Sequence, residues 1–334
     1  MTASSNRQFR LAARPVGLPK ASDWSLVEEP VPQPGEGQFL VRNEYISLDP
    51  AMRGWMNDSK SYVPPVGIGE VMRASAVGEV VASRHPKFPV GSRVAGLFGV
   101  QQYALSDGKG ARIVDTSLAP LPTYLGVLGM TGMTAYFGLL DVGEAKEGDT
   151  VVVSGAAGAV GTVVGQVAKL KGCRVVGIAG GEEKCRFLVD ELGFDAAIDY
   201  KREDVRAALR QHCPKGIDVY FDNVGGDHLE AALRRINTLG RIPVCGFISG
   251  YNSGHSSVSN LSNIIYARVM LRGFVGTDFM HLYGDFQRDM AGWLKEGKVK
   301  YQETILDGIS NAPNALIGLM EGKNSGKMLV KLAE

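Results

Sequence analysis

Cysteine is scarce and badly spaced for structural work. Cys173, Cys185, Cys213 and Cys245 are the whole complement of the 334-residue chain, and none form a C-x-x-C pair. That excludes a disulfide framework and a zinc ribbon. Residues 1–172 contain no cysteine and one histidine, His85. A catalytic zinc needs three protein ligands, so this half of the chain has no means of building one. His212, His228, His255 and His281 are scattered without H-x-x-x-H spacing, and no G-x-S-x-G elbow is present, which removes a Ser-His-Asp hydrolase. No metal ligand set is expected. An excess of charge of either sign is also missing: the formal net charge is +1, which gives no electrostatic case for nucleic acid or an anionic membrane. No apolar run approaches the length of a membrane span, and MTASSNRQFRLAARP lacks the apolar core of a signal peptide. A reducing, cytoplasmic setting is expected.

What is there is ordinary globular composition, 45% apolar and 21% charged, in a chain long enough for two cores. Residues 1–122 are rich in proline and glycine. Short apolar runs (FLVRNEYISL, GEVVAS, SRVAGLF) alternate with turn signals (PQPGEG, KFPVG, SDGKG), which predicts a β-rich domain. From 123 to 301 strands and helices alternate. We place strands at 150–154, 174–179, 196–199, 217–222, 241–247 and 271–275, with helical patterns between them. That order predicts an α/β fold, a doubly wound parallel sheet with right-handed crossovers. The tail, 302–334, returns to a strand-and-turn texture and is expected to rejoin the first domain.

The stretch TVVVSGAAGAVGTVVGQVAKLKG (150–172) carries the chemistry. An apolar strand runs into Ala156, Gly158 and Gly161 in an A-x-G-x-x-G frame, and a helix follows that ends at Gly172. In such a turn Gly158 lets the backbone approach a pyrophosphate, and Gly161 lets helix and strand pack closely. The N–H groups of the helix start then face the phosphates. Packing alone would also use small residues here, but the strand–turn–helix context favours a dinucleotide. The second strand ends in Gly180-Gly181 with Lys184 just beyond, room and charge for a 2′-phosphate, and Arg186 and Lys201 add to the field. We read NADPH. Glu182 and Glu183 keep NAD as the alternative.

Tyr251 follows a predicted strand end, where open α/β sheets bind ligands, and leads into the polar loop NSGHSSVSN, long enough to act as a lid. Tyr62, before Pro64-Pro65, is a second candidate. Met52, Trp55, Met72 and Met130 are expected to supply an adaptable apolar wall, Asp49 and Arg53 to pair across one helical turn, and His85 to sit in solvent.

Several longer motifs now stand together: SLDPAMRG (47–54), YVPPVGIGEVMRASAVGEVV (62–81), GMTGMTAYFGL (129–139), AAGAVGTVVGQVAKLKGC (156–173), FDNVGG (221–226), RIPVCGFISGYN (241–252) and NSGKMLVK (324–331). In these the chain resembles the zinc-independent medium-chain dehydrogenases/reductases. The likeness is to the group of prostaglandin reductases and 2-alkenal double-bond reductases, and most of all to bacterial NADPH-dependent curcumin reductases. The resemblance implies a GroES-like β domain (1–122 and 302–334) split around a Rossmann domain (123–301). It implies cofactor contacts at Ala159, Val160, Gly161 and Thr162, and at Lys184, Tyr200 and Asn223. Further contacts are implied at Cys245, Gly246, Phe247, Ile248, Ser249 and Tyr251, at Phe274, Val275 and Gly276, and at Asn324. Ala51 departs from the tyrosine that many relatives carry in DPYMRG. The expected activity is NADPH-dependent reduction of a carbon–carbon double bond conjugated to a carbonyl, in a homodimer with small enone or alkenal substrates. The alternatives are a quinone oxidoreductase on the same fold and a non-catalytic NADPH-binding sensor.

Overall fold

The structure is a computed structural model that describes residues 5–332. The chain divides into two units, Gly126–Gln302 and the remainder on either side of it.

The first unit opens with β1 (Ser5–Leu11) and β2 (Trp24–Pro30), an antiparallel pair. A second sheet follows: β3 (Phe39–Ser47), β4 (Ala76–Ser83), β5 (Arg93–Gly96), β6 (Tyr103–Ser106) and β7 (Arg112–Ile113), with the short helix α1 (Ala51–Trp55) after β3. The proline-and-glycine punctuation does here what such residues do elsewhere, since it limits strands to short antiparallel pieces.

The chain then builds the second unit. Its helix α2 (Met130–Phe137) precedes β8 (Thr150–Ser154), α3 (Ala159–Leu170), β9 (Arg174–Ala179), α4 (Glu182–Arg186) and β10 (Ala196–Asp199). Next come α5 (Val205–His212), β11 (Ile217–Phe221), α6 (Gly226–Leu233), β12 (Ile236–Val244), α7 (Ser262–Tyr266), β13 (Met270–Gly273) and α8 (Tyr283–Lys295). All six strands are parallel, in the order β10-β9-β8-β11-β12-β13. The order reverses between β8 and β11, which opens a crevice at their carboxyl ends. Every residue of β8 is buried, as a strand covered on both faces requires. Val152 packs with Val176, Ile178, Ile198, Leu209 and Ile242 on one face, and its neighbours Val151 and Val153 point to the other. Each such valine contributes about 1.5–3 kcal/mol by leaving water.

The tail returns to the first unit as β14 (Glu303–Asp307), α9 (Ala312–Met320) and β15 (Lys327–Lys331). β15 lies between β14 and β3. The strand-and-turn expectation for this tail missed α9, whose apolar residues are too closely spaced to show helical periodicity.

Other expectations also need correction. β12 begins five residues earlier than the 241–247 assignment and stops at Val244. The Asp222 carbonyl accepts the Cys245 and Gly246 N–H groups at 2.8 and 3.1 Å, which ends the ladder. The segments assigned to 217–222 and 271–275 stop at Phe221 and Gly273. Arg53 does not pair with Asp49. Its guanidinium donates to the carbonyls of Pro15 and Gly17 and to Asn57 Oδ1, whereas Asp49 accepts from Lys327 Nζ at 2.7 Å. Met52 and Met72 are wholly inside the core of the first unit and form no wall. His85 is half-buried, its ring edge-on to Phe39 and Phe88.

Candidate active site

The turn between β8 and α3 is built from backbone. Gly155 has φ +59, the left-handed conformation that favours glycine, and thereby supplies the tight turn that the A-x-G-x-x-G frame lacked at Ala156. A Cβ on Gly161 would stand 2.5 Å from the Gly155 carbonyl oxygen and 2.6 Å from Ala156 Cα, so no side chain fits between helix and strand. Gly158, the N-cap of α3, is half-exposed, as are Ala159 and Val160. Thr162 N–H is already bonded to the Gly158 carbonyl at 3.0 Å. Helix geometry leaves the N–H groups of Ala159, Val160 and Gly161 without intrahelical partners, at the positive end of the dipole. α3 closes at Lys171, and Gly172 takes φ +80 just beyond.

β9 delivers the second wall. Gly181 (φ +107) has open space where a side chain would lie, and its N–H donates to Asp199 Oδ1 at 2.8 Å. A Cβ on Gly180 would come within 2.8 Å of the Tyr200 ring, so glycine there lets Tyr200 lie against the turn. Tyr200 is 44% exposed and meets His228 edge-on at 5.1 Å. Burial and the nearby Lys201 cation push the Lys184 ammonium below its ordinary value. Two cations sharing one partly desolvated spot favour a bound anion, which relieves their repulsion. Of the two acids that favoured NAD, Glu182 is engaged by Arg202 at 2.9 Å.

The crevice floor is a buried polar network. Asp222 is fully buried; its Oδ1 accepts from Ser154 Oγ (3.0 Å), Tyr220 OH (3.2 Å), Val224 N (3.1 Å) and Gly225 N (2.9 Å). Desolvation raises its pKa above the usual carboxylate range. Asn223 is locked to β8, its N–H on Ser154 Oγ at 2.9 Å and its Nδ2 on the Ser154 carbonyl at 2.7 Å. Ser249 continues the frame: its Oγ donates to the Val224 carbonyl at 2.6 Å. Tyr251 follows on the same loop, and its hydroxyl accepts the Phe247 N–H at 3.3 Å. Burial, with the Asp222 charge, pushes the Cys245 thiol up to about 12, so it is protonated and no nucleophile at neutral pH. Phe274 meets Phe221 edge-on at 6.2 Å, and Gly276 is buried beside Thr134 and Met130.

The second unit therefore brings Gly158–Thr162, Lys184, Tyr200, Asn223, Cys245–Tyr251 and Phe274–Gly276 to the carboxyl ends of its strands and their connections. Tyr62 and Asn324 belong to the first unit. Tyr62 is 59% exposed and accepts from Trp55 Nε1 at 3.2 Å, and Arg73 lies 5.6 Å from the Trp55 ring centroid. Asn324 is buried with Nδ2 on the Gly326 carbonyl at 2.7 Å. Gly155, Ser154, Asp199 and Asp222 were missed as site residues. Their signal was present: in VVVSG and YFDN a polar residue closes an apolar strand. Among the described residues no group of His, Cys, Asp or Glu could hold a metal ion.

Strand order and glycine turn mark a doubly wound α/β protein with the crevice at which such folds bind dinucleotides. Residues 7–114 match the family model "N-terminal domain of oxidoreductase", and residues 159–296 match "Zinc-binding dehydrogenase". The chain belongs to the medium-chain dehydrogenase/reductase family, in the group of curcumin, 2-alkenal and prostaglandin reductases. It is 48% identical to the NADPH-dependent curcumin reductase of Escherichia coli, over 98% of this chain and 97% of that protein. It is 42% identical to the NADP(+)-dependent 2-alkenal reductase of Nicotiana tabacum, over 98% of each. Among solved structures, the NADPH complex of CurA from Vibrio vulnificus superposes with a TM-score of 0.93 at 48% identity, covering 98% of this chain and 99% of that one.

Proposed function

We propose that this protein is an NADPH-dependent reductase of the carbon–carbon double bond in α,β-unsaturated ketones and aldehydes. The observation that carries the reading is the crevice at the carboxyl ends of β8 and β11, preserved in a chain similar over its whole length to curcumin and 2-alkenal reductases.

The crevice fits a dinucleotide. The turn from Gly155 to Gly161 is made of small residues with no room for a side chain at Gly161, which suits a pyrophosphate at the start of α3. Gly181 leaves the space, and Lys184 with Lys201 the charge, for a 2′-phosphate. Tyr200, Asn223, Cys245–Tyr251 and Phe274–Gly276 are the further contacts in this unit that the family frame implies. Bound NADPH supplies a hydride to the β-carbon of the substrate. Negative charge then gathers on the substrate's carbonyl oxygen, and Tyr251 donates its hydroxyl hydrogen there. A donor in place before the charge develops lowers the barrier without reorganisation. The Phe247 N–H holds the Tyr251 oxygen in position for this. Tyr62 is a second candidate for a catalytic role, its hydroxyl accepting the Trp55 indole N–H. The α-carbon takes its proton from water or a tyrosine. We assign substrate recognition to the β-rich unit and place the protein in the cytoplasm, in line with four unbridged cysteines.

Absorbance of NADPH against a panel of enones, alkenals and quinones, with product masses, tests the reading. Saturated ketones and aldehydes are the expected products. Consumption with quinones alone, or binding without consumption, contradicts it.

Lys184→Ala is expected to weaken NADPH binding at least tenfold, about 1.4 kcal/mol, and to leave NADH nearly unchanged. Equal losses, measured by fluorescence titration, would move the lysine out of the phosphate site. For assembly we propose a homodimer. β13 ends the sheet with Leu271 exposed, and an apolar edge strand needs pairing or cover. Light scattering is expected to give twice the chain mass at micromolar concentration; a stable monomer contradicts the proposal.

A further inference from the structure

The loop that carries Tyr251 runs from Cys245 to Leu261 and stands on two feet. The first is the crevice floor: Cys245 and Gly246 N–H on the Asp222 carbonyl, and Ser249 N–H and Oγ on the Val224 carbonyl. The second is α6, through the Glu230 side chain and two backbone carbonyls. Glu230 Oε2 accepts the Ser259 N–H at 3.0 Å and the Ser259 hydroxyl at 2.8 Å, and the Glu230 carbonyl accepts Asn260 Nδ2 at 2.9 Å. Asn263 Nδ2 extends the contact to the Leu233 carbonyl at 3.0 Å. Glu230 Oε1 meanwhile takes Arg206 of α5 at 2.8 Å and Arg234 at 3.4 Å. Between the feet, bonds run largely within the loop: Gly254 N–H to the Gly250 carbonyl (2.8 Å), Ser253 Oγ to the His255 carbonyl (2.6 Å) and Ser256 Oγ to Ser249 Oγ (3.3 Å).

The division of labour within this carboxylate matters. One oxygen faces two guanidiniums whose own side chains are half-exposed, and the other faces only the loop. The Ser259 bonds hold the Glu230 carboxyl below its ordinary range, so it is an anion at neutral pH. Bonds to an ionised acceptor are about twice as strong as neutral ones, so this foot is the firmer tether of an otherwise self-bonded loop. Ser259 is itself exposed, so its release costs little elsewhere in the fold. Such a segment opens locally while the domain stays folded.

We propose that Glu230 is a positioning residue for the reaction: by fixing the second foot at Ser259 it limits the excursion of the loop and keeps Tyr251 at the crevice. The proposal rests on the role given to Tyr251 above.

The test compares Glu230→Ala, Glu230→Gln, Ser259→Ala and Arg206→Ala in the full chain. Each is read by hydrogen exchange of residues 250–258, by NADPH affinity, and by kcat and KM with an enone. In Glu230→Ala, exchange of 250–258 is expected to rise roughly tenfold or more while exchange in β8 and β11 holds. Turnover falls with it. Glu230→Gln keeps a neutral acceptor oxygen for Ser259 and is expected to restore both in part. Ser259→Ala, which cannot disturb the arginines, gives an intermediate effect, and it carries the test if Glu230→Ala does not fold. Arg206→Ala stays at wild-type values. Unchanged loop exchange in both Glu230→Ala and Ser259→Ala overturns the tether, as does equal loosening by Arg206→Ala, which marks a merely structural hub. Faster exchange with unchanged kcat and KM leaves the tether standing but overturns its part in turnover, while Tyr251→Phe decides the role of Tyr251 separately. Should the wild type reduce no enone, exchange and NADPH affinity still decide whether Glu230 holds the loop.

Discussion

Gly161→Ala is expected to destroy NADPH binding and to destabilise the nucleotide-binding unit together. The added methyl would meet the Gly155 carbonyl and Ala156 Cα at 2.5 and 2.6 Å, and both obstacles are backbone. Neither can rotate away, so α3 must move off β8. Overpacking of this kind costs about 1–3 kcal/mol. For a unit of this size that is roughly 2–4 °C of melting temperature per kcal/mol. Gly158→Ala separates the two effects. Its methyl would lie 3.2 Å from the Gly155 carbonyl at a half-exposed position, a contact that a small shift relieves. Stability should therefore stay close to wild type. The methyl would nonetheless point where the phosphates approach the helix start, and NADPH affinity should fall by about tenfold or more. Calorimetry and fluorescence titration of both variants check this. If Gly158→Ala binds NADPH like the wild type, the turn is a packing device and no phosphate cradle.

Tyr251→Phe is expected to lower kcat by about 10- to 100-fold while leaving NADPH affinity nearly intact. Loss of one oxyanion donor commonly costs on the order of 10²–10³ in turnover, and a second donor would soften that loss. The ring remains, so packing around the loop is conserved, but the acceptor for the Phe247 N–H goes with the hydroxyl. A kcat within about twofold of wild type would return Tyr251 to a structural role. A large loss in NADPH affinity with kcat preserved would make it a cofactor contact alone.

Much of the nucleotide-binding unit was legible because its strands are β-branched runs bounded by glycine, and its first turn is too rich in small residues to serve a surface loop. β9 and β10 were legible for the same reason, since their bounds needed no knowledge of distant partners. What escaped depends on residues far apart in sequence. Asp49 looked like a partner for Arg53 one helical turn away, but Lys327, 278 residues later, takes it instead. Met52 and Met72 read as an adaptable wall and prove to be core, in one cluster with residues of the returning tail such as Ile309 and Leu316. The end of β12 was misplaced because the apolar run continues past Val244, while the Asp222 carbonyl captures the next two N–H groups. Ser154 and Asp222 illustrate an intermediate case. Each is a polar residue closing an apolar strand, a visible signal whose meaning appears only when β8 and β11 lie side by side. Glu230 gave no signal, since an acid followed four residues later by arginine reads as a solvated helix pair.

The central claim is that this protein reduces a conjugated carbon–carbon double bond by hydride transfer to its β-carbon. The most direct measurement uses NADPH deuterated at C4, in its 4R and 4S forms, with an enone substrate, and locates the label in the product by NMR. With one of the two forms, deuterium is expected at the β-carbon, and hydrogen from solvent at the α-carbon. Deuterium at the carbonyl carbon, in an allylic alcohol product, would make the protein a carbonyl reductase and contradict the account.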